Sequence, residues 1–296
     1  MTRSDMLLAA LTSLIWGVAF PASVIGLQSF SPAQLTAIRF LIACLPILLV
    51  PRPKLPWLSI VLIGLTLFTG QFLLLFWALT QGLPSGLASV SQQMQAFFTV
   101  LLAAVFLRDM PSRRQAAGML IAFAGLALIG STAGSDLKFT GLSLGLAGAL
   151  SWAIGNVLVK CASNVPLLSL VVWCSLIPPL PAMVISSVVD ERPFLAAIAG
   201  ASWPSIVAAV YLGALATTVG YVLWGRLLQR YSTSLVAPFA LLAPCVGVLS
   251  SAVMFGEVET STRYVGMLLI VAGLGVSVVR LARRGRVEQE QAQRMA

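Results

Sequence analysis

The chain has no histidine among its 296 residues, and only 9% of them are charged. Histidine is the commonest proton shuttle near neutral pH and the commonest metal ligand. Its absence excludes zinc-protease motifs and any Ser-His hydrolase. The shortage of charge is equally informative. A soluble domain carries about a quarter charged residues, so a chain that is 59% apolar cannot clothe a water-facing surface with so few. Lipid is its expected solvent. The four cysteines, Cys44, Cys161, Cys174 and Cys245, lie in or beside apolar runs without CxxC spacing. They read as small packing residues rather than a disulfide framework or metal site. A net charge of +9 would suit nucleic acid only if the basic residues shared one exposed face, and here they fill short gaps between apolar runs. No Walker motif is present, so no ATP drive is expected.

What is present is a series of long apolar runs. A helix needs about 20 apolar residues to cross the hydrocarbon core. Such runs occupy 6–27, 33–50, 57–80, 86–107, 114–131, 140–160, 167–188, 204–225, 234–255 and 264–282. Open loops and sheet edges are not tolerated in lipid, so the expected fold is an all-α membrane protein with ten transmembrane helices. The first run has no convincing A-x-A cleavage site and reads as a mature helix rather than a signal peptide. Fourteen lysines and arginines fall in the N-terminus and the alternate gaps that follow it, including Arg52, Lys54, Arg113 and Arg114. Only Lys138, Arg192 and Arg263 fall in the other gaps. The bias predicts both termini in the cytoplasm.

The halves repeat. Gln81, Gly118-Met119-Leu120 and Ala124-Gly125-Leu126 recur 148 residues later as Gln229, Gly266-Met267-Leu268 and Ala272-Gly273-Leu274. Leu14-Ile15-Trp16 matches Leu150-Ser151-Trp152 at an offset of 136, and the difference of 12 fits a longer loop around 190–202. The expected units are five-helix repeats over 1–132 and 139–282, followed by a polar cytoplasmic tail, 283–296. An odd number of helices per repeat makes the second copy enter from the opposite side, so the repeats are inverted. Inverted repeats commonly carry a substrate site between them near mid-membrane.

The residues carrying the repeat resemble a known family. Trp16-Gly17 with Phe20, Ile38-Arg39-Phe40, and Phe106-Leu107-Arg108-Asp109 through Gly118 and Ala124-Gly125 look like an EamA-type domain. Met254-Phe255-Gly256-Glu257 through Gly266 and Ala272-Gly273 repeats it. The resemblance covers nearly the whole chain and implies the drug/metabolite transporter superfamily, with most similarity to bacterial exporters of amino acids and related metabolites. The copies differ: Pro244 stands where the first copy has Ala96, Gly256-Glu257 stands opposite Arg108-Asp109, and Arg39 has no basic counterpart.

Ionisable groups inside a membrane are functional candidates, and this chain nearly lacks them. Every Asp and Glu falls in a loop, a terminus or a helix end, which favours facilitated transport or exchange over proton coupling. Glu257 and Asp109 read as solvated helix-end residues. Arg39, about six residues into the second helix, either attracts a carboxylate or snorkels to the outer interface. The uncharged polar residues carry more. Ser85, Ser89, Gln92, Ala96 and Thr99 form a helical stripe flanked by Gln93 and Gln95. These amides face either a water-filled cavity or a hydrogen-bonded helix contact.

Aromatic and polar positions complete the candidate substrate-binding set. Trp16 and Phe20 are four apart in the first helix, Trp152 and Asn156 four apart in the sixth, and Thr217, Tyr221 and Trp224 share a face of the eighth. Gln71 and Trp77 lie in the third helix, and Pro244 in the ninth. Trp57, Trp203 and Trp224 fit an interfacial aromatic belt. Pro178-Pro179-Leu180-Pro181 is the expected hinge. Gly141-x3-Gly145 reads as close helix packing. The expected function is an inner-membrane transporter that exports or exchanges amphipathic metabolites, aromatic or apolar amino acids foremost, through a neutral cavity by alternating access. A lipid flippase or a channel is the alternative. An intramembrane enzyme would need a nucleophile–base pair or a mid-depth carboxylate, and neither is visible. The expected partners are a small-molecule substrate and the bilayer, with the protein a monomer or weak homodimer. No cofactor, metal, nucleic acid or ATP is expected.

Overall fold

The structure is a computed structural model that describes residues 2–108, 110–132, 138–162, 165–231, 236, 239–240, 242–273 and 275–276. Among these residues every regular element is helical. The helices are α1 (Arg3–Leu27), α2 (Pro32–Ala43), α3 (Trp57–Thr80), α4 (Ser85–Ser91), α5 (Met94–Leu107), α6 (Arg113–Gly130) and α7 (Phe139–Cys161). They continue as α8 (Leu167–Cys174), α9 (Pro179–Val189), α10 (Phe194–Ala199), α11 (Trp203–Leu227), α12 (Leu242–Phe255) and α13 (Ser261–Gly273).

Among the described residues, six helical stretches are long and apolar enough to cross a membrane: Arg3–Leu27, Trp57–Thr80, Ser85–Phe106, Phe139–Cys161, Leu167–Val189 and Trp203–Leu227. The apolar helices Pro32–Leu48, Leu242–Phe255 and Ser261–Gly273 are shorter. The twelve extra residues of the second half include α10, which sits in the predicted long loop. Asp109, Pro238 and the tail 283–296 lie outside the described residues.

Local chemistry sets the helix ends. Ser31 and Gln34 form a reciprocal capping box at the start of α2, with Pro32 at the first helical position. Ser112 and Gln115 do the same for α6. Two runs predicted to be continuous are broken. Between α8 and α9 the chain unwinds over 175–178, and Pro178 and Pro179, which lack the N–H a helix interior needs, start the next helix. Between α4 and α5 it turns at Gln92–Gln93. That break divides the predicted Ser85–Thr99 stripe.

The helix contacts come in matched pairs. α1 packs on α12, and α7 packs on α5; α1 packs on α11, and α7 packs on α3. The repeat offsets exchange the members of each pair. A Cβ on Gly125 would collide with the Gly266 carbonyl oxygen, and a Cβ on Gly273 with the Gly118 oxygen. Those two crossings interchange under the 148-residue shift. Both α3 and α11 contain π-helical turns, Gly64–Gly70 and Tyr211–Val219. Each is approached through a glycine: Gly64 lies against Ile177 and the Cys174 carbonyl, and Gly213 against Ile42 and the Arg39 carbonyl.

A branched side chain at these crossings forces the backbones apart. Gly125→Val and Gly273→Val are expected to destabilise the protein by about 1–3 kcal/mol each, read as a lower melting temperature in detergent. Melting unchanged in both variants would mean the crossings are not tight.

Candidate functional site

A cavity of about 360 Å³ lies between the halves. Helices α1, α2, α3, α5, α7, α8 and α11 contribute to its wall, with the Gln92–Gln93 turn and residues at the start of the ninth apolar run. One end is set by Ser23, Arg39 and Gln92; the lining then runs to Val159, Leu167, Trp224 and Ala240. Val159 is in the last turn of α7 and Leu167 begins α8, so the cavity reaches towards the face that carries the amino terminus. At the opposite face, hydrogen bonds join the halves. Ser31 Oγ donates to Asp190, Gln34 Nε2 to the Arg192 carbonyl at 2.8 Å, and Ser205 Oγ to the Ile25 carbonyl at 2.8 Å.

Glu257 belongs to that closed face and is not a freely solvated helix end. It is half-buried and caps α4: the Ser85 and Gly86 amides donate to its carboxylate at 3.1 and 3.0 Å, and Ser85 Oγ at 2.8 Å. An isolated helix start has unpaired N–H groups and a partial positive charge, and a carboxylate from the other half satisfies both. Ser85 Oγ also lies within hydrogen-bond distance of Ser251 Oγ, at 2.8 Å.

The aromatic wall is built on the π turns. A π turn frees carbonyls from the regular ladder, and side chains from neighbouring helices reach them. Trp16 Nε1 donates to the Ala216 carbonyl at 2.9 Å, and Ser151 Oγ donates to the Thr66 carbonyl at 2.8 Å. So anchored, the Trp16 ring packs against Tyr221 at 5.6 Å and Trp224 at 5.3 Å between centroids. Trp224 therefore belongs to the cavity rather than to an interfacial belt. Trp57 and Trp203 are exposed, as a belt position requires.

The amides divide by the break at Gln92–Gln93. Gln92 Nε2 donates to the Gly145 carbonyl at 2.8 Å, and its Oε1 is buried without a partner among the described residues. Gln71 Oε1 is likewise buried and unpartnered. Gly148 makes room between them, since a Cβ there would stand 3.0 Å from the Gln71 carbonyl oxygen and 3.4 Å from Gln92 Nε2. Asn156 donates to Gln95 Oε1 at 2.7 Å, and Gln93 also lines the cavity.

Arg39 is 4% exposed and does not snorkel. Its guanidinium lies over the Phe72 ring, 3.8 Å from the centroid, and Nε donates to Thr217 Oγ1 at 3.0 Å. That is its one hydrogen bond among the described residues, and no carboxylate pairs with it there. On insertion scales an arginine at mid-helix costs about 2.5–3.5 kcal/mol. Phe72 and Thr217 offset part of that and hold the cation at the cavity wall. Arg39 is the cavity residue that sequence reasoning left between two roles. Its missing counterpart in the second half, where the corresponding packing position is held by Cys174, was the available signal.

Of the other sequence candidates, Trp16, Phe20, Gln71, Gln92, Gln93, Trp152, Asn156 and Tyr221 line the cavity together. Thr217 lies behind it as the partner of Arg39. Ser89 and Pro244 lie at the contact between α4 and α12, where Ser89 Oγ donates to the Pro244 carbonyl at 3.3 Å. Ala96 packs into the core, because the turn at Gln92–Gln93 rotates it off the predicted stripe. Trp77 lies beyond the cavity towards the end of α3, where its carbonyl accepts from Thr80 Oγ1 at 2.9 Å.

The chain matches the EamA-like transporter family twice, over residues 3–131 and 139–279. It is 38% identical to a "probable amino-acid metabolite efflux pump" of Salmonella typhimurium, covering 97% of this chain and 99% of the relative. It is 36% identical to the protein of the same description in Escherichia coli, again over 97% and 99%. A "probable terminal-alkyne amino-acid exporter" of Streptantibioticus cattleyicolor is 30% identical over 89% of this chain and 90% of its own. One crystal structure shares the fold with a TM-score of 0.64 at 21% identity, covering 96% of this chain and 99% of its own. A paired family match over almost the full length, on a helical membrane fold with a cavity between its halves, places the chain in the EamA-like transporter family.

Proposed function

We propose that the protein exports or exchanges small amphipathic metabolites, aromatic or apolar amino acids foremost, by alternating access. The observation that carries this reading is the cavity between the halves, walled by Trp16, Phe20, Trp152, Tyr221 and Trp224 and floored by glutamines. Aromatic walls take an apolar side chain, and amides orient its polar end. The relatives described as amino-acid metabolite efflux pumps support the same substrate class.

The architecture behind this reading is ten spans in two inverted five-helix repeats, 1–132 and 139–282, with the tail 283–296 and both termini in the cytoplasm of a bacterial inner membrane. The interchangeable glycine crossings and paired π turns support the inversion. In this conformation the cavity reaches towards the cytoplasmic face, and the Glu257 and Asp190 contacts close the outer one. Exchange of these two conditions moves substrate outward. The closed outer face favours a transporter over a channel, whose pore would run through in one state.

Purified protein in liposomes is expected to exchange labelled phenylalanine, tryptophan or leucine across the membrane. Uptake no greater than in empty vesicles across a broad amino-acid panel would overturn the reading. Gln92→Leu removes the Gly145 bond from the cavity floor and is expected to cut transport about tenfold or more, while the protein still inserts and melts cooperatively. Wild-type rates in that variant would remove Gln92 from the pathway. On a cysteine-free background, a cysteine at Ala240 is expected to react with a charged thiol reagent in detergent, and one at Ser89 to resist it. Glu257→Ala should speed labelling at Ser89→Cys; equal labelling with and without Glu257 would show that its cap does not hold the outer face.

A further inference from the structure

The innermost part of the cavity carries two kinds of unmet polar chemistry at one end. Arg39 presents a guanidinium with a single hydrogen bond, through Nε, and an aromatic face beneath it. Gln71 and Gln92 each bury a side-chain carbonyl oxygen without a donor among the described residues. Phe72, which carries the guanidinium, is the chain neighbour of Gln71, and Arg39, Gln71, Phe72 and Gln92 all belong to the lining of the one cavity. So a cation with free donors and two side chains whose acceptors lack donors among the described residues line the same cavity. Left as they are, each is unfavourable: a desolvated charge without a counter-ion and two buried acceptors without partners.

We infer that this end of the cavity is a zwitterion site, in which Arg39 takes the α-carboxylate of a free amino acid and the side-chain oxygens of Gln71 and Gln92 take its α-ammonium. The inference rests on the export reading above and specifies its chemistry. Arginine is suited to the first role because its Nη groups present a planar fork that matches a carboxylate in two-point contact. The orientation of Gln92 suits it to the second: with Nε2 held by the Gly145 carbonyl, its oxygen is left as the free acceptor. Arg39 is the one lysine or arginine in the lining among the described residues, so the site matches one negative charge and not a phosphate ester. The aromatic cluster of Trp16, Tyr221 and Trp224 lies on towards the cytoplasmic end, where the substrate side chain would extend. Recognition then lies in the backbone groups of the amino acid, and the apolar side chain is accommodated rather than read. The predicted selectivity is against amino-acid amides and esters, decarboxylated amines and deaminated acids.

The test uses liposomes loaded with phenylalanine, exchange of labelled phenylalanine, and competition by phenylalaninamide, phenethylamine and 3-phenylpropionate. Each analogue is expected to compete about tenfold or more weakly than phenylalanine, because each lacks one charge-assisted contact. Arg39→Gln should raise KM about tenfold or more and abolish the preference for acid over amide. Arg39→Lys should restore part of that preference, which a merely structural role would not do. Gln71→Leu and Gln92→Leu should instead erode discrimination against 3-phenylpropionate. The analogue series on the unmodified protein needs no variant to fold. If the unmodified protein exchanges no amino acid, the export reading falls and the site with it. If it exchanges phenylalanine but takes phenylalaninamide equally well, or if Arg39→Gln keeps the acid preference, export stands and the zwitterion site is overturned.

Discussion

In hydrocarbon no water is available to a free backbone carbonyl, and that constraint organises this molecule more than any apolar contact. Lipid tails are as apolar as leucine, so burial alone gives the helices little reason to choose one neighbour over another. The choice is made by side chains that reach across to main-chain oxygens. Trp16 reaches Ala216, Ser13 reaches Phe239, Ser89 reaches Pro244, Ser205 reaches Ile25 and Tyr211 reaches Ile15. All five of these bonds cross from one half of the chain to the other. The Ala216 oxygen belongs to a π turn and the Ile25 oxygen to the end of α1, places where carbonyls come free.

The cavity is a consequence of the same arrangement. Two π turns at corresponding places in α3 and α11 displace the regular ladder, and small residues let the facing helices approach. Trp16 and Ser151 satisfy the displaced oxygens. The break at Gln92–Gln93 turns amides inward at the same depth. The aromatic side chains that build the wall are therefore held by the bonds that repair the backbone, so wall geometry and helix packing are coupled. Moving one half against the other must exchange some of these bonds, and the polar contacts at the closed face are the ones nearest water and the cheapest to exchange.

Arg39 marks the point where the halves have diverged. Its packing counterpart is Cys174, whose main-chain oxygen faces Gly64 as that of Arg39 faces Gly213. One half thus brings a cation to the cavity and the other brings only packing volume.

Much of this was legible from residue order. The ten apolar runs, the absence of a mid-depth carboxylate and the two-copy pattern of Gly118 and Gly125 with Gly266 and Gly273 need only counting. The close packing at Gly141 and Gly145 was readable from spacing, and eight of the candidate residues do line one cavity. The failures came from contacts and turns that residue order does not show. A regular helix was assumed through Ser85–Thr99, and the turn at Gln92–Gln93 sends Ser89 to a helix contact and Ala96 to the core. Trp224 was assigned to the interface by its distance from the helix end, but depth along a helix does not say which side it faces. Glu257 read as a solvated end because its partners, Ser85 and Gly86, are about 170 residues away.

The sequence by itself determined that this chain lives in lipid, that it is helical and duplicated, and that it has no histidine to move protons. Those follow from composition, hydropathy and repeat spacing, which act locally along the chain. Only the tertiary structure decided where the helices break, which aromatic rings share a wall, and that Arg39 turns into the cavity on Phe72 and Thr217 rather than out to the surface. The reason is that each depends on which carbonyl or ring stands opposite, and in a membrane that is set by contacts between segments far apart in the chain.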